Sequence, residues 1–332
     1  MSNYNIYFSP TGGTKKVAEI LSCNLLRDFT DINLCKDISS LSLSEDDVCI
    51  VSVPSYGGRV PAIAIERLQK IIGNGAKAIL NCVYGNREWD DTLSELQDTM
   101  EKLGFRCIAA VAAVAEHSLF RQFATGRPDA DDKIQLTEFS KQIQKKLDAN
   151  EITDLHLAGN HGTYKIYNGT PFKPTANEDC SGCGLCAKEC PAGAIDADNP
   201  LALDTEKCTS CMRCVSICPK HARSCDANLM AMVAEKMAPL LSGHKENHLF
   251  IELFYLSGSV CSRCSAKPFG QNINYKETGV LHNNFIRVEN EKDIHHRRRS
   301  AKEHEHRKVV AKFCRRCEIG RWRHRGKDHT SA

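Results

Sequence analysis

Apolar positions along residues 1–150 alternate between short continuous runs and helical spacing. Asn5–Phe8, Val48–Val53, Ala76–Val83 and Cys107–Val114 are runs of strand length, the second of them strongly β-branched. Between them, Thr14–Asp28 sets Val17, Ile20, Leu21 and Leu25 at helix spacing. Ile63–Ile72, Thr92–Leu103 and Asp131–Leu147 also read as helices, and Asp31–Leu34 as a weak edge strand. Strands that alternate with helices predict an α/β domain built on a parallel sheet covered on both faces.

The pattern changes at residue 151. Gly159, Gly162, Gly169, Pro171 and Pro174 interrupt any helix, so residues 151–178 read as a linker or extended connection. Residues 179–250 hold a cysteine repeat and a closing helix over Asn228–Leu241. Beyond residue 250 the periodicity fades and Arg, His and Asn dominate, so residues 251–332 read as a poorly structured tail.

Composition changes this picture in one respect: the chain has 18 cysteines. Eight fall in two matching runs, Cys180-x2-Cys183-x2-Cys186-x3-Cys190-Pro191 and Cys208-x2-Cys211-x2-Cys214-x3-Cys218-Pro219. Zinc sites use pairs of ligands, whereas two sets of four ending in Cys-Pro are the bacterial ferredoxin pattern for two [4Fe–4S] clusters. In such proteins the fourth cysteine of each run serves the other cluster. The expected ligand sets are therefore Cys180, Cys183, Cys186 and Cys218 for one cluster, and Cys208, Cys211, Cys214 and Cys190 for the other. With four cysteines per cluster no iron position is left open, which points to electron transfer and away from chemistry at iron. Cys225 has no place in the count and reads as a buried small apolar residue.

Three loops follow predicted strands at their carboxyl ends, where open α/β sheets bind ligands. Ser9-Pro10-Thr11-Gly12-Gly13-Thr14 precedes a helix, and N–H groups with hydroxyls at a helix N-terminus suit a phosphate. It lacks the lysine of a P-loop and the Gly-x-Gly-x-x-Gly fingerprint; a plain N-terminal cap is the alternative. Pro54–Pro61 (PSYGGRVP) and Tyr84–Asp91 (YGNREWDD) set aromatics beside glycines. Tyr56, Tyr84 and Trp89 suit stacking on a flat ring, or simple loop packing.

With these segments in order, residues 1–250 resemble the flavodoxin–ferredoxin fusion proteins. The likeness extends to Glu116–Asp132 (EHSLFRQFATGRPDADD), the double cysteine run and the closing HKENHLF. It implies a flavodoxin-like doubly wound parallel sheet of five strands in the order 2-1-3-4-5, followed by a small α+β two-cluster ferredoxin domain. It also implies bound FMN. Ser9, Thr11, Gly12, Gly13 and Thr14 would then hold the phosphate. Pro54, Tyr56, Gly57 and Gly58 would line one side of the flavin ring. Tyr84, Gly85, Asn86 and Arg87 would line the other, with Trp89 as a further stacker. Glu116, His117, Arg121 and Arg127 would face the flavin or the cysteine module, or form a buried polar network.

Charge separates the tail from the body. From 287 to 332 there are 15 Lys+Arg against 7 Asp+Glu, although the whole chain carries only +3, so the body is acidic. The segment holds Cys261, Cys264, Cys314 and Cys317, two CxxC pairs that raise a zinc site as an alternative to a solvated tail. It is also where nucleic acid would bind, if at all. The start, MSNYNIYF, runs straight into a strand and carries no signal peptide, and no run of about 18 apolar residues suggests a membrane span. Free thiols and cluster ligands point to the reducing cytoplasm. The reading is an electron carrier passing electrons between FMN, two clusters and partner redox proteins. Its rivals are a flavin-dependent reductase of a small substrate and a redox-sensing nucleic-acid-binding protein.

Overall fold

The computed structural model describes residues 2–149 and 152–252, all within one unit of the chain, Met1–Val288. The tail, with Cys261, Cys264, Cys314 and Cys317, lies outside the described residues.

In chain order the elements are β1 (Asn3–Tyr7), α1 (Gly13–Leu25), β2 (Thr30–Asn33), β3 (Leu41–Ser42), β4 (Val48–Pro54), α2 (Ala62–Leu68), β5 (Ile71–Ile72), β6 (Lys77–Tyr84), α3 (Thr92–Lys102), β7 (Arg106–Val114) and α4 (Ala130–Leu147). Then follow β8 (Thr175–Ala176), α5 (Leu185–Lys188), α6 (Arg213–Ile217), β9 (Arg223–Ser224), α7 (Ala227–Leu241) and β10 (His248–Ile251). The main sheet runs β10-β7-β6-β4-β1-β2. Its five parallel strands, counted along the chain, lie in the order 2-1-3-4-5. That order, with the helices divided between the two faces, is the flavodoxin-like arrangement.

The period of two along each strand divides the core. In β4, Cys49, Val51 and Val53 face a layer with Ala64 and Leu68 of α2 and Leu93, Leu96 and Met100 of α3. Val48 and Ile50 face the opposite layer, with Val17 and Leu21 of α1 and Leu136, Phe139 and Ile143 of α4. Both faces of the strand are buried, which is why it reads as a continuous apolar run and not as an alternating one.

Two expectations are corrected. The sheet has six strands, not five: β10 pairs antiparallel with β7, Leu249 opposite Val111. The segment expected to end the cysteine module thus returns to the first domain, and the module is held at both ends. The helix expected over Ile63–Ile72 stops at Leu68, because Ile71 and Ile72 pair with Leu41 and Ser42. Of the two readings of the connection, linker or extended segment, residues 152–172 are the second, a strap fixed along the first domain. Leu155 is fully buried and its N–H donates to Cys107 O at 2.7 Å. Lys165 N–H donates to Asp91 Oδ2 at 2.6 Å, and His161, Tyr164 and Gly162 N–H all engage Asp98. Gly and Pro prevent helix there, but they leave the chain free to make these anchors.

Candidate functional site

The two cysteine runs fold as near-copies. Gly182, Gly184 and Gly193 have φ of 66, 69 and 58°; Ser210, Met212 and His221, their counterparts in the second run, have 55, 60 and 50°. The left-handed turns before α5 and α6 let three cysteines of each run curl around a common point. After each run the chain turns back on its fourth cysteine. Ala194 N–H donates to Cys190 Sγ and Ala222 N–H to Cys218 Sγ, each at 3.3 Å. The first run meets the unusual backbone with glycine, and the second meets it with side chains. Gly193 has open space where a Cβ would go, so Gly193→Ala isolates the backbone cost. We expect a loss of about 1–2 kcal/mol, read by thermal unfolding of the cluster-loaded protein.

The thiols fall into two groups that mix the runs. Cys180, Cys183, Cys186 and Cys218 line one small cavity together with Pro200 and Arg223. Cys214 has Cys211, Cys208 and Cys190 as its electrostatic neighbours. Burial pushes the Cys211 thiol up to about 11 and the Cys214 thiol up to about 12. At Cys218 desolvation works against the anion, but backbone N–H groups of Ala222, Lys220 and Arg223 outweigh it and hold the thiol below its usual range. Among the described residues no three His, Cys, Asp or Glu side chains converge on a single ion. A cubane is larger than an ion and holds its thiolates farther apart.

The three strand-end loops sit along one edge of the sheet. Ser9 Oγ accepts the Lys15 N–H at 2.8 Å, and Gly12 caps α1 at φ 94° with nothing within 4 Å of where a Cβ would lie. The space above the helix N-terminus is open, with Thr11 exposed beside it. This end fits a phosphate monoester. Arg213, whose guanidinium donates to Pro10 O, has a buried Nε without a partner, and the buried Asn86 Oδ1 of the Tyr84–Asp91 loop also lacks one. Asn86 is fixed by its Nδ2, which donates to Leu241 O and Gly243 O.

Several of the expected ring-facing residues have partners within the chain. The Tyr167 ring covers the face of Gly57, Asp90 that of Gly58, and His117 that of Gly85. These glycines are required by the chain's own side chains, and only their backbone groups remain for a ligand. Trp89, expected to stack on a flavin, packs edge-on to Tyr84 at 5.2 Å and against His248 and Phe250 of β10. Arg87 pairs with Asp90. Tyr56 remains at the junction, where burial first, and then the nearby Cys211 and Cys35 thiols, push its phenol well above its ordinary range. In the 116–132 segment Arg127 is buried against Asp132, while Arg121 makes an exposed pair with Glu116 at 2.6 Å. Of the expected alternatives for Arg127, the buried network is the one present.

The cysteine module sits on this loop edge through residues that spacing alone did not single out. Arg213 reaches Pro10 O at 3.3 Å and Glu189 at 2.7 Å. Arg67 of α2 bridges Leu34 O at 2.5 Å and Pro191 O at 2.7 Å. Lys173 Nζ donates to Cys208 O at 2.5 Å. A cleft of about 660 Å³ lies between Tyr56, Arg59, Tyr167 and Lys173 on one side and Cys208 and Thr209 on the other. Arg213 was visible as an arginine inside a ligand run; Arg67 and Tyr167 carry no local signal.

Residues 179–222 match the family model described as a 4Fe-4S dicluster domain. Solved structures similar to the first domain include a flavodoxin from Streptococcus pneumoniae, 16% identical over 44% of this chain and 99% of its own, with a TM-score of 0.32. Flavodoxin 1 from Bacillus cereus is 13% identical over 44% of this chain and 98% of its own, at 0.34. A flavodiiron core from Synechocystis is 15% identical over 45% and 37%, at 0.31. No curated protein matches the chain. The cysteine module is an iron–sulfur module of the 4Fe–4S type, and it stands on an α/β domain with the flavodoxin strand order. The matched module gives the chain a redox, electron-transfer role. Among the described residues no helix is long and apolar enough to cross a membrane.

Proposed function

We propose that the chain passes electrons between a bound FMN and two [4Fe–4S] clusters, and on to partner redox proteins of the cytoplasm. The observation that carries this is the seating of the cysteine module on the loop edge: Arg213, between two ligand cysteines, donates to Pro10 of the phosphate-type loop. FMN, when bound, supplies exchange of one or two electrons, while each cluster exchanges one. Ser9, Thr11, Gly12, Gly13 and Thr14 would hold its phosphate at the start of α1. Pro54, Tyr56 and the backbone of Gly57 and Gly58 would border one side of the ring, and Tyr84–Arg87 the other.

The carrier reading is supported over a small-substrate reductase by what the nearest acid–base groups do. His117 Nδ1 accepts the N–H groups of Leu119 and Phe120 at 3.1 and 3.3 Å, and burial pushes the imidazole down to about 4. It stays neutral and structural near pH 7. Glu116 is held by Arg121 and by Gly126 N–H, and Arg87 by Asp90. Each is committed to holding its loop. Anaerobic reconstitution with iron, sulfide and FMN should give about eight irons and one flavin per chain. Failure to retain flavin after desalting would remove FMN from the proposal.

A further inference from the structure

The pseudo-symmetric module does not face the first domain symmetrically. In the first run, Ser181, Gly182 and Cys183 are exposed; in the second, Ser210, the counterpart of Gly182, is 5% exposed and Cys211 is half-buried. Around the cysteines themselves, the contacts with the rest of the chain fall on one thiol group, while Asn86 meets only the closing segment, at Leu241 O and Gly243 O. Pro191 follows Cys190 and receives Arg67; Glu189 precedes it and meets Arg213 and Lys36. Cys208 receives Lys173 through its carbonyl, and Cys211 is the thiol beside Tyr56. The cavity of Cys180, Cys183, Cys186 and Cys218 is bordered only by the module's own residues, with exposed Leu185, Pro219 and Lys220 at its rim.

We infer that the two cluster sites are ordered in series: Cys190, Cys208, Cys211 and Cys214 form the inner site, next to the flavin loops, and Cys180, Cys183, Cys186 and Cys218 form the outer site, through which electrons reach a partner. This rests on the FMN reading above. Two single-electron transfers across the Tyr56–Cys211 junction oxidise FMNH2 to FMN, with two protons released to solvent. Each electron then passes from the inner to the outer site and leaves to a one-electron acceptor protein, which is reduced twice per flavin. Running the chain in reverse reduces FMN by the same two steps and takes up the two protons. The junction is preformed, because the strap on one side and β10 on the other hold the module at both ends.

The order is tested on the full chain, reconstituted anaerobically, by removing one site at a time. In Cys183→Ala, photoreduced flavin should still reduce the remaining cluster, seen by EPR, and delivery to a small one-electron acceptor protein should be lost. In Cys211→Ala, the flavin-to-cluster step should be lost while chemically reduced outer cluster still serves the acceptor. The opposite pattern overturns the order. A second measurement needs no variant: mild oxidation of the native protein with an iron chelator, followed by alkylation and mass spectrometry. Cys180, Cys183, Cys186 and Cys218 should be alkylated first; earlier labelling of Cys208, Cys211 and Cys214 overturns the inference. A chain that holds iron but no FMN would defeat the flavin reading alone, and the labelling order would still decide which site is outer.

Discussion

Cys190→Ala should abolish the cluster built on Cys208, Cys211 and Cys214 and leave the other intact, so that iron falls from about eight to about four per chain. Cys190 stands four residues after Cys186, and a run read as one closed unit would tie it to Cys180–Cys186. The structure puts it elsewhere. Its thiol lies among the neighbours of Cys211 and Cys214 and is oriented by the Ala194 N–H at 3.3 Å. Cys218, oriented alike by Ala222, lines the cavity of the first run. Cys218→Ala is therefore expected to remove the opposite cluster. Iron and sulfide counts with EPR of the reduced protein read both variants. Loss of the Cys180–Cys186 cluster from Cys190→Ala would overturn the crossed assignment. Crossing also has a structural consequence. Under this assignment each cluster would join both runs, so a chain that loses one would still have its runs joined by the other.

What was legible in the sequence is what depends on near neighbours. The cysteine spacing is local, and the β-branched run at Val48–Val53 reports a strand buried on both faces whatever surrounds it. Ile71 and Ile72 show the limit, since two apolar residues fit the end of a helix as well as a short strand, and only Leu41 and Ser42, some thirty residues back, decide the case. β10 was hidden for the same reason: its partner β7 lies on the far side of the whole cysteine module. Gly57, Gly58 and Gly85 read as bordering a flavin ring, and the side chains that come near them in the structure are Tyr167, Asp90 and His117 of the chain itself. A glycine signals that something comes near, and its sequence context does not say what. Trp89 illustrates the companion problem. An aromatic in a loop near a ligand edge suits stacking, yet the added strand supplies His248 and Phe250 as partners that residues 1–150 could not foretell.

That added strand is anchored through Asn247 to a buried ion pair at the start of α4. Asp132→Ala is expected to destabilise the chain by about 3–5 kcal/mol, because it strands a buried guanidinium. Arg127 and Asp132 have side chains 7% and 3% exposed. The carboxylate accepts Arg127 Nε at 2.8 Å, the Asp129 N–H at 2.9 Å and Asn247 Nδ2 at 2.8 Å, besides a second guanidinium nitrogen. It therefore closes the capping box of α4 and holds Asn247, whose Oδ1 accepts the Val114 N–H at 2.8 Å beyond the end of the β7–β10 ladder. Thermal unfolding would read the global loss. Hydrogen exchange should quicken at Leu249 and Ile251 if the return strand loosens with it. The pH dependence has a definite sign. Desolvation alone would raise the Asp132 carboxyl, but Arg127, the Asp129 N–H and Asn247 outweigh it and hold it below the ordinary carboxylate range. Its folded pKa is thus lower than its unfolded one. The stability it contributes is present above about pH 4 and is lost as pH falls through the folded value. Wild-type protein should lose this part of its stability in acid, whereas Asp132→Ala, having no carboxyl to protonate, should show a shallower acid limb. An unchanged acid limb would mean that the pair contributes no charge-dependent stability.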